Sequence, residues 1–167
     1  IKILYDRLKK SNLIDKIVVA TTNCKSDDIL VQYLKKQKIK FYRGSRENVV
    51  ERIIKTATFF RAKNIVLITG DCPLIDFNLV DQCIRTFKFN KVDFVTNSNI
   101  RSFPDGMDVE IFKFSILKEA HVKAKKPLER EHVTPYIIDN KKIKKFNLLH
   151  PVNASDIRLT LDEKADF

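Results

Sequence analysis

An unbroken apolar run, Ile65-Val66-Leu67-Ile68, ends at Thr69-Gly70-Asp71 and is followed at once by Cys72-Pro73. Apolar residues without polar alternation predict a strand buried on both faces, the pattern of a parallel sheet. Pro73 cannot extend the ladder, so the strand must stop there. In open α/β sheets ligands collect beyond the carboxyl ends of the strands, and that is the position of Asp71. An acid so placed is suited to a metal or a phosphate-bound metal. It is equally suited to capping the helix that follows.

The rest of the chain alternates strands with helices around this element. Ile1, Leu4 and Leu8 share a helical face, and Lys16 to Thr21 reads as a strand. Ser26-Asp27-Asp28 opens a helix to about Gln37, its acids matching the positive end of the helix dipole. Ile39 to Tyr42 is a short strand. Ser45 is placed to cap a helix whose stripe is Val49, Val50, Ile53, Ile54, Ala57 and Phe60. After the Ile65 strand, Asp76 caps a helix with Val80, Cys83, Ile84 and Phe87 on one face. A strand over Val92–Val95, a polar loop to Met107, a strand over Val109–Phe112 and a helix from Ser115 to about Ala124 follow. Pro127 opens a helix to about Asn140 in which Pro135 should kink or end a turn. Two strands close the chain, around Ile143–Leu149 and Ile157–Leu161. This alternation predicts a doubly wound, mainly parallel α/β sheet in one domain over residues 1–167.

Bulk properties narrow the function classes. The 167 residues are enough for one domain with a core. No stretch approaches the roughly 20 apolar residues of a membrane span, so no membrane insertion is expected. Cys24, Cys72 and Cys83 are odd in number and lack paired metal spacing, which with no legible signal peptide fits a reduced, cytoplasmic setting. The net charge of +11 allows either a nucleic-acid partner or a lysine-rich solvated surface. No aromatic residues interleave the lysines as a base-stacking surface requires, so no specific nucleic acid is expected.

Several constellations could carry chemistry. Asp162 follows the alternating Ile157, Leu159, Leu161 pattern, on the polar side at the end of its predicted strand. Asp71 and Asp162 then stand at equivalent strand ends. Mg²⁺ takes one or two carboxylates and completes its shell with phosphates and water. Two helix-capping surface acids are the alternative reading. Pro104-Asp105-Gly106 is a turn signal that accounts for Asp105. Asp108 and Glu110 share one side of the following strand and could face a polar pocket together. Glu129 with His132, and Arg130 with Thr134, share helix faces and suit either solvent or a sugar or carboxylate. Cys72 beside Asp71 has nothing to stabilise a thiolate, and no nucleophilic triad or glycine-rich phosphate loop is visible.

Six motifs occur in one order: Ile17-Val18-Val19-Ala20-Thr21-Thr22, Phe41-Tyr42-Arg43-Gly44-Ser45, Thr69-Gly70-Asp71-Cys72-Pro73-Leu74-Ile75-Asp76, Pro104-Asp105-Gly106-Met107-Asp108-Val109-Glu110, Glu129-Arg130-Glu131-His132-Val133-Thr134-Pro135-Tyr136-Ile137 and Arg158-Leu159-Thr160-Leu161-Asp162. Together they resemble the cytidylyltransferases of the spore coat polysaccharide biosynthesis protein F type, relatives of the acylneuraminate and Kdo cytidylyltransferases. The resemblance runs end to end and implies the α/β sheet of the nucleotide-diphospho-sugar transferases.

The resemblance implies attack of a sugar hydroxyl on the α-phosphate of CTP, giving a CMP-sugar and pyrophosphate for surface polysaccharide synthesis. It gives Asp71 and Asp162 the Mg²⁺. It gives Thr21, Thr22, Arg43, Ser45, Arg52 and Gly70 the nucleotide side, and Asp108, Glu110, Arg130 and His132 the sugar side. It also implies a homodimer, although no dimer face is legible in the residues. Relatives begin with a further strand and an Arg/Lys-rich loop around the triphosphate. This chain has neither, and it stops at Ala165-Asp166-Phe167 where relatives continue. It therefore reads as a piece truncated at both ends, lacking the first strand of the sheet and expected to be inactive alone. A nucleotidyltransferase using another NTP and a non-catalytic interaction domain on the same sheet are the competing readings.

Overall fold

A computed structural model describes residues 1–123 and 134–166. The helix predicted to open at Pro127, with Arg130 and His132, lies mostly outside the described residues. Two compact units are distinguished, each assembled from separated stretches of chain.

The first unit comprises Ile1–Asp15, Val66–Phe112 and Lys144–Phe167. Its sheet has the order β3-β5-β4-β6, with β3 at Asn64–Leu67, β4 at Phe94–Thr96, β5 at Glu110–Lys113 and β6 at Lys145–Asn147. β4 runs parallel to β6 and antiparallel to β5. Register sets Phe94 opposite Phe112, and the two buried rings stack 6.5 Å apart. Helix α4, Phe77–Phe89, buries Leu79, Val80, Cys83, Ile84 and Phe87 and packs on β4. Its start is the predicted one, because the Asp76 carboxylate accepts the Asn78 N–H. Helix α1, Lys2–Leu8, buries Leu4 and Leu8. Arg7 Nε donates to the Ile75 carbonyl at 2.7 Å, and Ser11 donates to the buried Asp81 carboxylate.

The second unit comprises Lys16–Ile65 and Lys113–Ile143. Strands β1, Val19–Thr22, and β2, Phe41–Gly44, pair in parallel, Thr21 opposite Arg43 and Thr22 opposite Gly44. Helix α2, Asp28–Lys36, follows one turn of 3₁₀ helix and buries Val31 and Leu34. Helix α3, Val49–Phe59, buries Val50, Ile53, Thr56 and Ala57 and packs on β1, β2 and α5, Phe114–Lys123. A short α6, Thr134–Asp139, packs on α5.

Three local expectations are corrected. β3 is half-buried and not enclosed on both faces, because it forms an edge of its sheet with β5 as its strand neighbour. Apolar composition alone cannot separate an edge strand from a central one. Asn48 and not Ser45 caps α3, its carboxamide oxygen accepting the Glu51 N–H at 2.9 Å. Ser45 instead accepts the Asn48 N–H at 3.0 Å, one turn earlier. Finally, Ile157–Leu161 is not a strand but an extended segment with a single parallel bridge, Arg158 to Asp105. Beyond a local Ile157 N–H to Ala154 carbonyl bond, its backbone bonds go to two loops: Asp105 N–H to the Ile157 carbonyl, Leu159 N–H to the Asp105 carbonyl, and Leu161 N–H to the Asp71 carbonyl. Loops give no continuous ladder, so the alternating pattern has no sheet to join.

Candidate functional site in two parts

In the first unit three loops converge on a group of carboxylates. Asp71 follows β3, and the Leu161 N–H bonded to its carbonyl at 2.8 Å brings Asp162 alongside it in the backbone. The turn Pro104–Met107, closed by the Met107 N–H on the Pro104 carbonyl at 3.1 Å, meets the same segment earlier, where the Leu159 N–H donates to the Asp105 carbonyl. Gly106 has φ +93°, as the third residue of a type II turn requires. A Cβ there would sit 2.7 Å from the Leu159 carbonyl carbon and 2.9 Å from the Thr160 nitrogen. Only glycine admits both the dihedral and the approach.

Asp108 follows that turn. Burial pushes its carboxyl above the ordinary value, the Arg101 guanidinium pulls it back, and the charges of Asp105 and Asp71 push it up again. Arg101 binds both oxygens of Asp108, at 3.0 and 3.4 Å, and reaches Asp105 at 3.2 Å. Asn97, buried to 1 % exposure, clamps the backbone on either side of Asp108. Its amide donates to the Met107 carbonyl and its oxygen accepts the Val109 N–H, both at 2.8 Å. Glu110 begins β5 opposite Thr96, so only Glu110 of the predicted pair stands in the strand. Asp162 is half-exposed and paired with Arg158 at 3.0 Å. Arg158 also binds Asp166 through two bonds, and Asp166 accepts the Asp162 and Glu163 N–H groups. These bonds hold the Asp166 carboxyl far below the usual range, with Arg158 the largest cause.

The donor set of Asp71 and Asp162 is all oxygen and therefore of the kind Mg²⁺ prefers. Among the described residues no group of three or more His, Cys, Asp or Glu side chains is gathered to hold a metal ion. A Mg²⁺ that draws most of its shell from phosphates and water needs no such group, so the residues fit the ion. No ion pair engages Asp71 among the described residues, whereas Asp162 would have to share itself with Arg158. Cys72 is buried, and desolvation raises its pKa to about 11. It packs and does not act as a thiolate nucleophile. Cys24, Cys72 and Cys83 are all free.

In the second unit most predicted nucleotide-side groups serve the fold. The Thr21 and Thr22 hydroxyls donate to Asp27 at 2.5 and 2.7 Å, and the Thr22 N–H adds a third bond at 2.9 Å. These donors, Thr21 first, lower the Asp27 pKa to about 2. Arg43 donates to the Thr22 and Cys24 carbonyls at 2.9 and 2.8 Å and pairs with Asp28 at 2.8 Å. Arg52 differs. It donates once, to the Ser45 carbonyl at 2.6 Å, and its Nε is buried without a partner. Burial lowers its pKa, opposed by the Asp27 charge. Gly44 makes room for it, since a Cβ there would lie 2.9 Å from the Arg52 Cγ. An orphaned buried donor costs about 1–3 kcal/mol unless a ligand or water reaches it.

Residues 1–160 match the family described as cytidylyltransferase. The chain belongs to the cytidylyltransferase family. As a cytidylyltransferase-family chain it is 38% identical over its whole length to an uncharacterized protein of Methanocaldococcus jannaschii, covering 69% of that protein. It is 30% identical over 92% of its length to the spore coat polysaccharide biosynthesis protein SpsF of Bacillus subtilis, covering 64% of it. It thus spans about two thirds of these curated relatives. Among solved structures, a cytidylyltransferase from Leptospira borgpetersenii superposes with a TM-score of 0.93 at 36% identity, over 98% of this chain and 70% of that one. A CMP:2-keto-3-deoxy-manno-octonic acid synthetase complexed with CTP gives a TM-score of 0.62 at 13% identity, over 93% of this chain and 82% of that one. The nucleotidyltransferase α/β fold of the family is therefore the fold of this chain, with parallel pairings in both of its sheets. Among the described residues no helix is long and apolar enough to cross a membrane.

Sequence reasoning missed Asn97, Arg101 and Asp27. Asn97 and Arg101 lie in a loop, where no period marks a buried amide or a loop-spanning ion pair. Asp27 was legible only as a helix-start acid, although its position a few residues past Thr21-Thr22 could have suggested the bonded cluster.

Proposed function

We propose that the whole protein activates a sugar or sugar acid with CTP, giving a CMP-sugar and pyrophosphate for surface polysaccharide synthesis. The observation that carries the chemistry is the Leu161 N–H to Asp71 carbonyl bond, which sets the Asp71 and Asp162 segments side by side in one unit. Mg²⁺, when bound, would neutralise the triphosphate and stabilise charge developing on the α-phosphate and the leaving pyrophosphate.

The chain's own residues supply positioning and charge. Asp71, with Asp162, would hold the cation on the phosphate side. Asp108 and Glu110 are carboxylates suited to accept hydrogen bonds from sugar hydroxyls, and Asp108 is already locked by Asn97 and Arg101. Arg130 and His132 belong to the same sugar-side assignment. Arg52 offers the nucleotide a partly desolvated guanidinium with an unpartnered N–H, which favours an anion or a carbonyl acceptor. Thr21, Thr22, Arg43, Ser45 and Gly70 belong to the nucleotide side in the same proposal, and the first four are also bonded within the fold. The kinship with a synthetase complexed with CTP and with SpsF supports CTP and a polysaccharide precursor as substrates. A cytoplasmic location and a homodimer belong to the same proposal.

The experiment is pyrophosphate release by the full-length protein with each of CTP, UTP, ATP and GTP, against a panel of sugar acids and amino sugars with Mg²⁺. Preference for CTP with one acceptor is expected. Equal use of UTP or ATP would assign another NTP, and no release with any pair would favour a non-catalytic interaction domain.

A further inference from the structure

Asp108 is held from two directions. Asn97 pins the backbone before and after it, and Arg101 grips both carboxylate oxygens. The same guanidinium binds Asp105, so its donors are committed within this loop. The Leu159–Leu161 segment joins the two loops, its Leu159 N–H on the Asp105 carbonyl and its Leu161 N–H on the Asp71 carbonyl, and the Asp71 charge acts on Asp108. One guanidinium therefore pairs with two carboxylates, and a third, Asp71, acts on one of the two.

We propose that Arg101 is a positioning residue that fixes Asp108 beside Asp71 and, by neutralising it, limits how tightly the Asp71 side of the site takes a divalent cation. This rests on the reading of Asp71 as the carboxylate that faces the cation, and adds to it a residue that no sequence motif singled out. With Arg101 present, Asp105, Asp108 and Arg101 together carry one net negative charge. Without it they carry two, and a cation at Asp71 is attracted more strongly. The Arg101 side chain is 46% exposed, so water and salt screen much of the effect. Lysine would keep the charge but lose the two-pronged grip on Asp108. The sign of the effect separates this role from a merely structural one. An arginine that only held the loop together would, on removal, loosen the site and weaken cation binding.

The test is Mn²⁺ binding to the full-length protein, followed by electron paramagnetic resonance at low ionic strength and without nucleotide. Arg101→Gln is expected to tighten Mn²⁺ binding by about threefold to tenfold. Arg101→Lys should stay within about twofold of the unaltered protein, because the charge is retained. Arg101→Gln combined with Asp108→Asn should return to the unaltered affinity, because the charge Arg101 neutralised is gone. Asp71→Asn should weaken binding in each background. Unchanged or weaker binding in Arg101→Gln, with Asp71→Asn still weakening it, overturns the proposal and leaves the role of Asp71 standing. No effect of Asp71→Asn overturns both.

Discussion

The backbone N–H of Leu161 donates to the carbonyl of Asp71 at 2.8 Å, joining two motifs far apart in the chain. The bond uses the main chain of Asp71 and leaves its carboxylate outside the tie. A change at that carboxylate should therefore separate chemistry from folding.

On the proposed metal role, Asp71→Asn in the full-length protein is expected to lower Mg²⁺-dependent pyrophosphate release by about a hundredfold or more, since one carboxylate charge is lost. The thermal midpoint should move little, because the Leu161 bond survives. Circular dichroism melting and pyrophosphate assays on the same sample check both halves. Undiminished turnover would remove Asp71 from the metal role.

Gly106→Ala tests the packing of the turn against the Leu159–Leu161 segment. The new methyl meets the Leu159 carbonyl carbon at 2.7 Å, which is backbone and cannot rotate away. The dihedral of +93° adds strain of its own. Together these should cost about 2–4 kcal/mol, measured as a lower denaturant midpoint. An unshifted midpoint would mean that the Leu159 segment relaxes freely. Gly44→Ala lacks the dihedral strain but meets the Arg52 Cγ at 2.9 Å, its Cβ at 3.2 Å and its backbone Cα at 3.3 Å, so α3 itself has to give.

Where a residue's role follows from a short-range pattern, the sequence showed it. Asp76 capping α4, and Leu79, Val80, Cys83, Ile84 and Phe87 buried along it, follow from a side-chain oxygen at the helix start and a 3.6-residue period. Asp71 and Asp162 stand out in the sequence because each follows an apolar run, and the structure joins the two segments by the Leu161 bond. Their setting was not. Ile157–Leu161 has the alternation of a strand, yet its partners are the loops of Asp105 and Asp71, and loop partners leave no periodic trace. Likewise, the alternation of Ile157, Leu159 and Leu161 sets Arg158 among the polar residues of a strand, whereas its fork holds Asp162 and Asp166. The hydroxyls of Thr21 and Thr22, which the resemblance assigns to the nucleotide side, also donate to Asp27, a bond that no motif announces. A hydroxyl serves ligand and protein with the same chemistry, so residue type alone cannot tell the two apart.

Asn97→Ala would remove the amide that brackets Asp108. It leaves the Met107 carbonyl and the Val109 N–H without their partner at a site where Asn97 itself is 1 % exposed. The expected loss is about 2–4 kcal/mol, two bonds plus the orphaned groups. Asn97→Asp should be nearly as costly, because the carboxylate cannot donate to the Met107 carbonyl. Equilibrium unfolding in urea measures both. A loss below about 0.5 kcal/mol would show that water replaces the amide.

The Asp27 cluster should appear in the acid limb of the stability profile. Its carboxyl titrates at about 2 when folded, below the 3.8 of an unperturbed aspartate, with the Thr21 hydroxyl the largest cause and the Thr22 hydroxyl and N–H next. Fewer protons are bound in the folded state, so the stabilisation is fully present above about pH 4 and is lost as pH falls through the folded value. Thr21→Val removes the leading donor and should raise the folded pKa toward the unfolded one, flattening stability between these two values. Asp27→Asn should abolish this component and leave no slope from this group. Urea unfolding at a series of pH values, with the Asp27 carboxyl followed by NMR, gives both quantities on one sample. An Asp27 pKa unchanged in Thr21→Val would mean that the Thr22 pair alone sets it, and a slope that persists in Asp27→Asn would assign the acid sensitivity to another carboxylate.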